Sequence, residues 1–139
     1  MKANKLLLLA SAAYVVISAL SLLSVSAIAF YNPQAVMDLV ATKLSNTDAV
    51  SSIRGVYGGV GITIVVCLIY TLYRNIQESL ALLTIFWGMY AVSRMVTIFT
   101  DGELGAFGTQ WLAIETVFAF IAFLLWALNR RASRVASVN

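Results

Sequence analysis

The stretch IRGVYGGVGITIVVCLIYTLY, Ile53 to Tyr73, decides the fold. Its one charge, Arg54, stands at the start, and the rest is apolar, small or weakly polar. At 1.5 Å of rise per residue a helix over this stretch is about 30 Å long, the thickness of the hydrocarbon core of a bilayer. Working outward, three more stretches have the same character: Leu6 to Phe30, Leu80 to Phe99 and Trp111 to Leu128. The last is short, and Glu115 and Thr116 are its polar residues. The expected fold is all-α, an integral membrane bundle of four helices forming one transmembrane domain over residues 1–139.

Composition agrees. Hydrophobic residues make up 61% of the 139 and charged residues 11%, against about 45–50% and about 25% in soluble domains. A soluble chain this short cannot hide so much apolar surface, so lipid is its natural solvent. The net charge of +3 points to topology rather than to nucleic acid, because no basic stripe with interleaved aromatics is present. The first apolar run follows Met1-Lys2-Ala3-Asn4-Lys5, a signal-like start, and ends near Ala27-Ile28-Ala29. It is much longer than the 7–15 residues of a signal core, which favours a retained helix. Lys2, Lys5, Arg74, Arg130, Arg131 and Arg134 fall on one side of a four-span hairpin pair. The positive-inside rule then puts both termini in the cytoplasm.

The outer link from Tyr31 to Ser52 contains Asn32-Pro33, a good helix start. Val36, Met37, Val40 and Leu44 then share a face, so residues 33–44 read as a short amphipathic helix, lying on the membrane surface or packed over the bundle as a lid. Arg74 to Ser79 is a short turn between antiparallel neighbours. Thr100 to Gln110, with three glycines, reads as irregular, and the basic tail after Leu128 as frayed.

Ionisable residues inside a span are costly and face the protein interior. Arg54 opens helix two, Arg94 lies near the outer end of helix three, and Glu115 lies one turn into helix four. Asp101 closes helix three. By helical rise Arg94 and Glu115 share a depth of roughly 6–8 Å below the outer surface, and pairing is expected because an unpaired charge there is unstable. Arg54, Tyr57, Gly58 and Gly61 share one face of helix two. Trp87, Tyr90, Ala91 and Arg94 share one of helix three, and Trp111, Glu115, Phe118 and Ala122 one of helix four. Two readings stay open. The polar cluster Arg54, Tyr57, Arg94, Asp101 and Glu115 is either a structural staple or the head of a ligand site, its pocket lined by Gly58, Tyr90, Trp111 and Phe118. Gly55 and Gly59 form a small-xxx-small pair that suits close helix approach, within the chain or in a homo-oligomer.

Arg54-Gly55-Val56-Tyr57-Gly58-Gly59 resembles the Arg-x-x-Tyr-Gly-Gly signature of a bacterial four-helix membrane family catalogued as domain of unknown function 4345. Arg94 with Asp101-Gly102, and Glu115, look like the same pattern, and the resemblance covers essentially the whole chain. It implies a bacterial inner-membrane protein and supplies no reaction. A more distant similarity to DoxX-like membrane proteins, some of which accompany quinone or thiosulfate oxidation, is a fold-level analogy.

Chemistry is sparse. The chain has no histidine, which removes a bis-His haem, a His-based metal site and the usual partner of a nucleophile. Cys67 is the one cysteine, so the Cys-x-x-Cys of disulfide-forming quinone reductases is missing. No catalytic residue, metal or cofactor is assigned. Small multidrug exporters match the size, but their membrane glutamate lies in helix one, which is uncharged here. The expected function is binding of a small amphiphile, lipid or quinone, or an accessory role in a membrane complex. The alternatives are a purely structural subunit and a small transporter.

Overall fold

The computed structural model describes residues 2–136, with side chains for 5–135. The expected signal-like residues Met1 to Asn4 and the tail beyond Ala136 therefore lie wholly or in part outside the described residues. The fold is all-α: α1 (Lys2–Tyr31), α2 (Pro33–Asp38), α3 (Thr47–Ile53), a π-helical segment (Arg54–Gly59), α4 (Val60–Arg74), α5 (Ile76–Thr100) and α6 (Ala106–Ala136). Four helices are long and apolar enough to cross a membrane: Lys5–Tyr31, Thr47–Arg74, Ile76–Thr100 and Ala106–Val135. Large apolar side chains such as Leu20, Val66, Ile85 and Phe120 are exposed, whereas Ser11, Ser18, Ser26, Ser79, Glu115 and Asn129 are buried. That inversion is what lipid selects: the apolar effect between helices is absent, and small or polar residues make the contacts.

The chain divides into two compact units. One comprises the start of α1 through Val15 and everything from Thr71 onward. Its frame is the antiparallel pair α5 and α6. Gln77 donates to Ser133, Trp87 meets Phe118, and Arg94 binds Glu115, so positions rise along α5 as they fall along α6. Leu80, Leu83 and Ala122 are fully buried, and so is Val15 of α1. Tyr14 donates its hydroxyl to the Phe118 carbonyl at 2.6 Å, and Asn129 donates to Ser11 Oγ at 2.8 Å.

Three boundaries in this unit differ from expectation. The turn before α5 is Asn75 alone, which caps the helix by accepting from Gln77 N at 3.0 Å. The glycine-rich link shortens to Asp101–Gly105, because α6 already starts at Ala106. Gly102 (φ +107°) makes the stop: its N–H and that of Asp101 both reach back to the Thr97 carbonyl, a left-handed cap that glycine adopts without strain. At the far end α6 does not fray at Leu128 but continues to Ala136. Hydropathy marks where lipid ends, not where hydrogen bonding ends, and Asn129 and Ser133 tether the extension.

The other unit runs from Val16 to Tyr70. Asn32 caps α2 and Pro33 fills its first turn. The helix stops at Asp38 rather than Leu44. Ala41 turns left-handed at φ 52°, and Thr42 N bonds to the Met37 carbonyl. Gln34 orders the loop beyond α2, donating to Asp38 Oδ1 and to the Thr42 carbonyl and accepting from Leu44 N. Val36 and Met37 bury against Ala29, with Leu44, Ile53 and Tyr57 packed around them, whereas Val40 is exposed. The second membrane helix begins at Thr47, six residues before Ile53, because Asn46 accepts from Ala49 N at 2.8 Å and caps it.

Candidate functional site

Within the α5–α6 unit the sequence-expected charges converge. Arg94 Nε donates to Glu115 Oε2 at 2.6 Å, and the terminal nitrogen Nη2 donates to Oε1 at 2.8 Å. This is the two-pronged geometry that arginine alone among cations supplies. The Glu115 side chain is 2% exposed and that of Arg94 is 20% exposed. The carboxylate is thus sealed, whereas the arginine side chain is partly exposed. Phe107 covers part of it, with its ring centre 5.9 Å from Arg94 Cζ.

Helix geometry explains the arrangement. Trp87 and Arg94 are seven residues apart on α5, and Glu115 and Phe118 three apart on α6, so each pair lies along one helix face. Below the ion pair lies an aromatic cluster. Trp87 meets Phe118 nearly edge-on at 5.2 Å, and Phe86 and Tyr90 flank Trp87 at 5.0 and 6.5 Å. Tyr14 packs on Phe118 at 5.8 Å. Trp87 is buried, and its indole N–H finds no hydrogen-bond acceptor among the described residues. A buried donor without an acceptor costs roughly 1–3 kcal/mol and calls for a physical reason.

Asp101 sits at the exposed end of α5 and accepts from Thr100 Oγ1. Trp111 is half-buried and packs its ring 6.0 Å from that of Phe107. Tyr90 is 40% exposed. Arg54, Tyr57 and Gly58 belong to the other unit. There Arg54 Nε donates to the Phe30 carbonyl at 2.9 Å, one of the carbonyls that the end of α1 leaves without a helical donor. Tyr57 packs onto the Ala29, Val36 and Met37 cluster. Gly58 is buried, and a Cβ there would strike the Phe30 ring at 2.7 Å; at Gly61 a Cβ would collide with Ser26 Oγ. Arg54, Tyr57, Gly58 and Gly61 therefore all turn toward α1 or the cluster at its end.

Among the described residues nothing lies within 4 Å of a Cβ at Gly55 or Gly59, so the small-xxx-small pair makes no close approach within the chain. The π segment of Arg54–Gly59 was also not anticipated. Its widened turn is closed by Val60 N on the Gly55 carbonyl, and such turns concentrate at functional sites. Sequence reasoning missed Tyr14, Phe107 and Asn129 as well. A tyrosine in the middle of an apolar run is a usable signal. Phe107 was hidden because the start of α6 was placed too late.

Among the described residues, no three His, Cys, Asp or Glu side chains gather in a way that could hold a metal ion. The chain matches the family described as a domain of unknown function (DUF4345) over residues 10–128. No curated protein and no solved structure matches it.

Proposed function

We propose, for a chain that belongs to the DUF4345 family, that the α5–α6 unit binds an amphiphile carrying an oxygen head group. Arg94 is the anchor. The observation that carries this reading is the two-pronged Arg94–Glu115 pair set beside an aromatic cluster whose buried Trp87 N–H has no acceptor among the described residues. A pure clamp leaves that donor unexplained, whereas an occupant bearing a carbonyl, carboxylate or phosphate oxygen suits both the donor and the neighbouring arginine. The aromatic rings around it suit an apolar body. The expected similarity to DoxX-like proteins is not shown and carries no part of this proposal.

The setting we propose is a bacterial inner membrane with both termini cytoplasmic, supported by the basic flanks of the spans. The occupant is a lipid or a quinone-like molecule, and the protein works alone, as a homo-oligomer or as an accessory subunit. A fusion at Asn139 of a reporter that is active only in the cytoplasm should be active; activity of a periplasmic reporter there would reverse the topology.

Binding is tested by mass spectrometry of organic extracts from protein purified in mild detergent. The wild type should carry an amphiphile absent from detergent controls. Arg94→Lys keeps the charge but removes the fork, and should lose most of the bound molecule while the helical circular-dichroism signal stays. A wild-type extract that equals the control refutes binding and leaves the second reading, a structural staple, which the two bonds satisfying Glu115 favour. Under that reading Glu115→Gln lowers stability and alters nothing bound.

A further inference from the structure

The α6 helix outlasts its apolar stretch by eight residues, Asn129 to Ala136, or about 12 Å of helix. Arg130, Arg131 and Arg134 stand on this extension and all are exposed. It does not wave freely. Asn129 is held by Ser11 of α1, and Ser133 accepts from Gln77 of α5. Those two bonds fix which other charges share this end of the unit. Lys5 lies six residues before Ser11 on α1, and Arg74 closes α4 just before the Asn75 cap of α5. Five basic side chains therefore gather here against Glu78. The opposite end of the same unit carries Asp101 and Glu103.

A stripe leads from the apolar part of α6 into this basic end. Trp126, Arg130 and Arg134 recur every four residues, which places them along one helix face. Arg130 Cζ lies 5.1 Å from the centre of the Trp126 ring, and Phe123 packs against that ring from the preceding turn at 5.8 Å. Phe123 and Leu124 are exposed. The order from the bilayer outward is therefore an exposed apolar surface, an amphipathic indole and then two guanidinium forks.

We propose that this stripe is a site for an anionic phospholipid. The phosphodiester bridges Arg130 and Arg134, the glycerol region rests on Trp126, and the acyl chains run along Phe123 and Leu124. Tryptophan favours the head-group level of a membrane, and a fork-shaped cation suits a phosphate. The excess of basic over acidic side chains at this end selects a head group without a compensating cation, because each juxtamembrane basic residue attracts negative lipid. The tether through Asn129 and Ser133 holds the helix that carries the arginines in place before lipid arrives, which lowers the cost of binding.

The test is native mass spectrometry of the full-length protein from mixed micelles, titrated with phosphatidylglycerol or with phosphatidylcholine of the same chains. The wild type should retain phosphatidylglycerol at about thirtyfold lower lipid than phosphatidylcholine, the scale that two guanidinium contacts supply. The double substitution Arg130→Gln with Arg134→Gln should abolish that preference, while Lys43→Gln, an exposed change in the other unit, should leave it intact. Trp126→Ala keeps every charge and should weaken retention of phosphatidylglycerol severalfold. Equal retention of the two lipids by the wild type would overturn the proposal, as would a preference that survives the double substitution. Competition by glycerol 3-phosphate at millimolar levels would also overturn it, because it would show a soluble-phosphate site indifferent to acyl chains.

Discussion

The two units of this protein each hold an arginine at a membrane helix, and they solve the same problem differently. In the α5–α6 unit Arg94 is matched by a carboxylate, with both oxygens of Glu115 engaged. In the Val16–Tyr70 unit Arg54 is matched by the end of a helix: its Nε binds the Phe30 carbonyl, one residue short of the end of α1. The first solution cancels a full charge with a full charge. The second sets a full charge against the partial negative charge of about half a unit at a helix C-terminus. The ion pair encloses a carboxylate that has no other outlet, so losing the arginine strands it. The helix end merely loses a donor. The unit with Arg94 is therefore expected to be brittle toward substitution at its charge, and the unit with Arg54 tolerant.

The largest effect should come from breaking the pair. Glu115→Leu leaves a largely buried guanidinium without its counter-charge, and should cost about 3–5 kcal/mol, read as a large fall in the unfolding temperature in detergent. Adding Arg94→Leu should recover most of that loss, since an apolar pair of similar volume is often neutral where a half-broken ion pair is not. If the double variant is no more stable than Glu115→Leu, the charge is not what makes this unit brittle.

The second effect concerns shape in the other unit. Gly61→Leu drives a side chain into Ser26, and Gly58→Leu drives one into the Phe30 ring. Overpacking of this kind costs typically 1–3 kcal/mol. Gly61 should be the worse of the two. Ser26 is buried and fixed on α1 by its bond to the Leu22 carbonyl, whereas Phe30 is 44% exposed and has room to swing. Equal unfolding temperatures for Gly61→Leu and the wild type would show that α1 yields as easily as a loop.

The third effect should be smaller. Arg54→Gln removes a charge-assisted hydrogen bond at a half-buried position and leaves a carbonyl that lipid-level water can satisfy. A loss of about 1–2 kcal/mol is expected, well below that of Glu115→Leu. A loss as large as for Glu115→Leu would dissolve the contrast between the two arginines.

How much of this was legible in the sequence depends on which physical signal each feature leaves. The four spans were legible because lipid imposes a length and a composition together. The faces were legible too: Arg54, Tyr57, Gly58 and Gly61 turn the same way, and Arg94 finds Glu115 by depth and cost. Helix ends are not, because hydropathy marks the edge of lipid and not the last hydrogen bond of a helix. Asn46 before Thr47-Asp48 is a capping signal that a hydropathy reading passes over, and Asn129 looks like the start of a tail although it is a buried tie to Ser11. The π turn left no periodicity to read, since one inserted residue shifts every later position by a single step. Depth alone does not say which neighbour a side chain meets: within its own unit Arg54 binds the Phe30 carbonyl.

The smallest expected effect tests the glycines that the small-xxx-small spacing singled out. Gly55 and Gly59 lie four apart, the spacing of helices in close approach, yet a Cβ at either position meets nothing within 4 Å. Neither has the positive φ that would reserve the site for glycine. Gly55→Ala and Gly59→Ala should therefore change the stability of the isolated chain by no more than about 1 kcal/mol, and in the stabilising direction, because alanine restricts the unfolded backbone more than glycine does. The opposite result carries its own information. If Gly55→Ala lowers the unfolding temperature and also shifts the protein from a larger to a smaller species in size-exclusion chromatography with light scattering, the bare surface over Gly55 and Gly59 is covered by another chain. Small residues would then serve close approach as the spacing suggests, but between molecules. If stability falls with no change in size, the widened turn itself needs glycine, and the tolerance of this unit ends at its backbone.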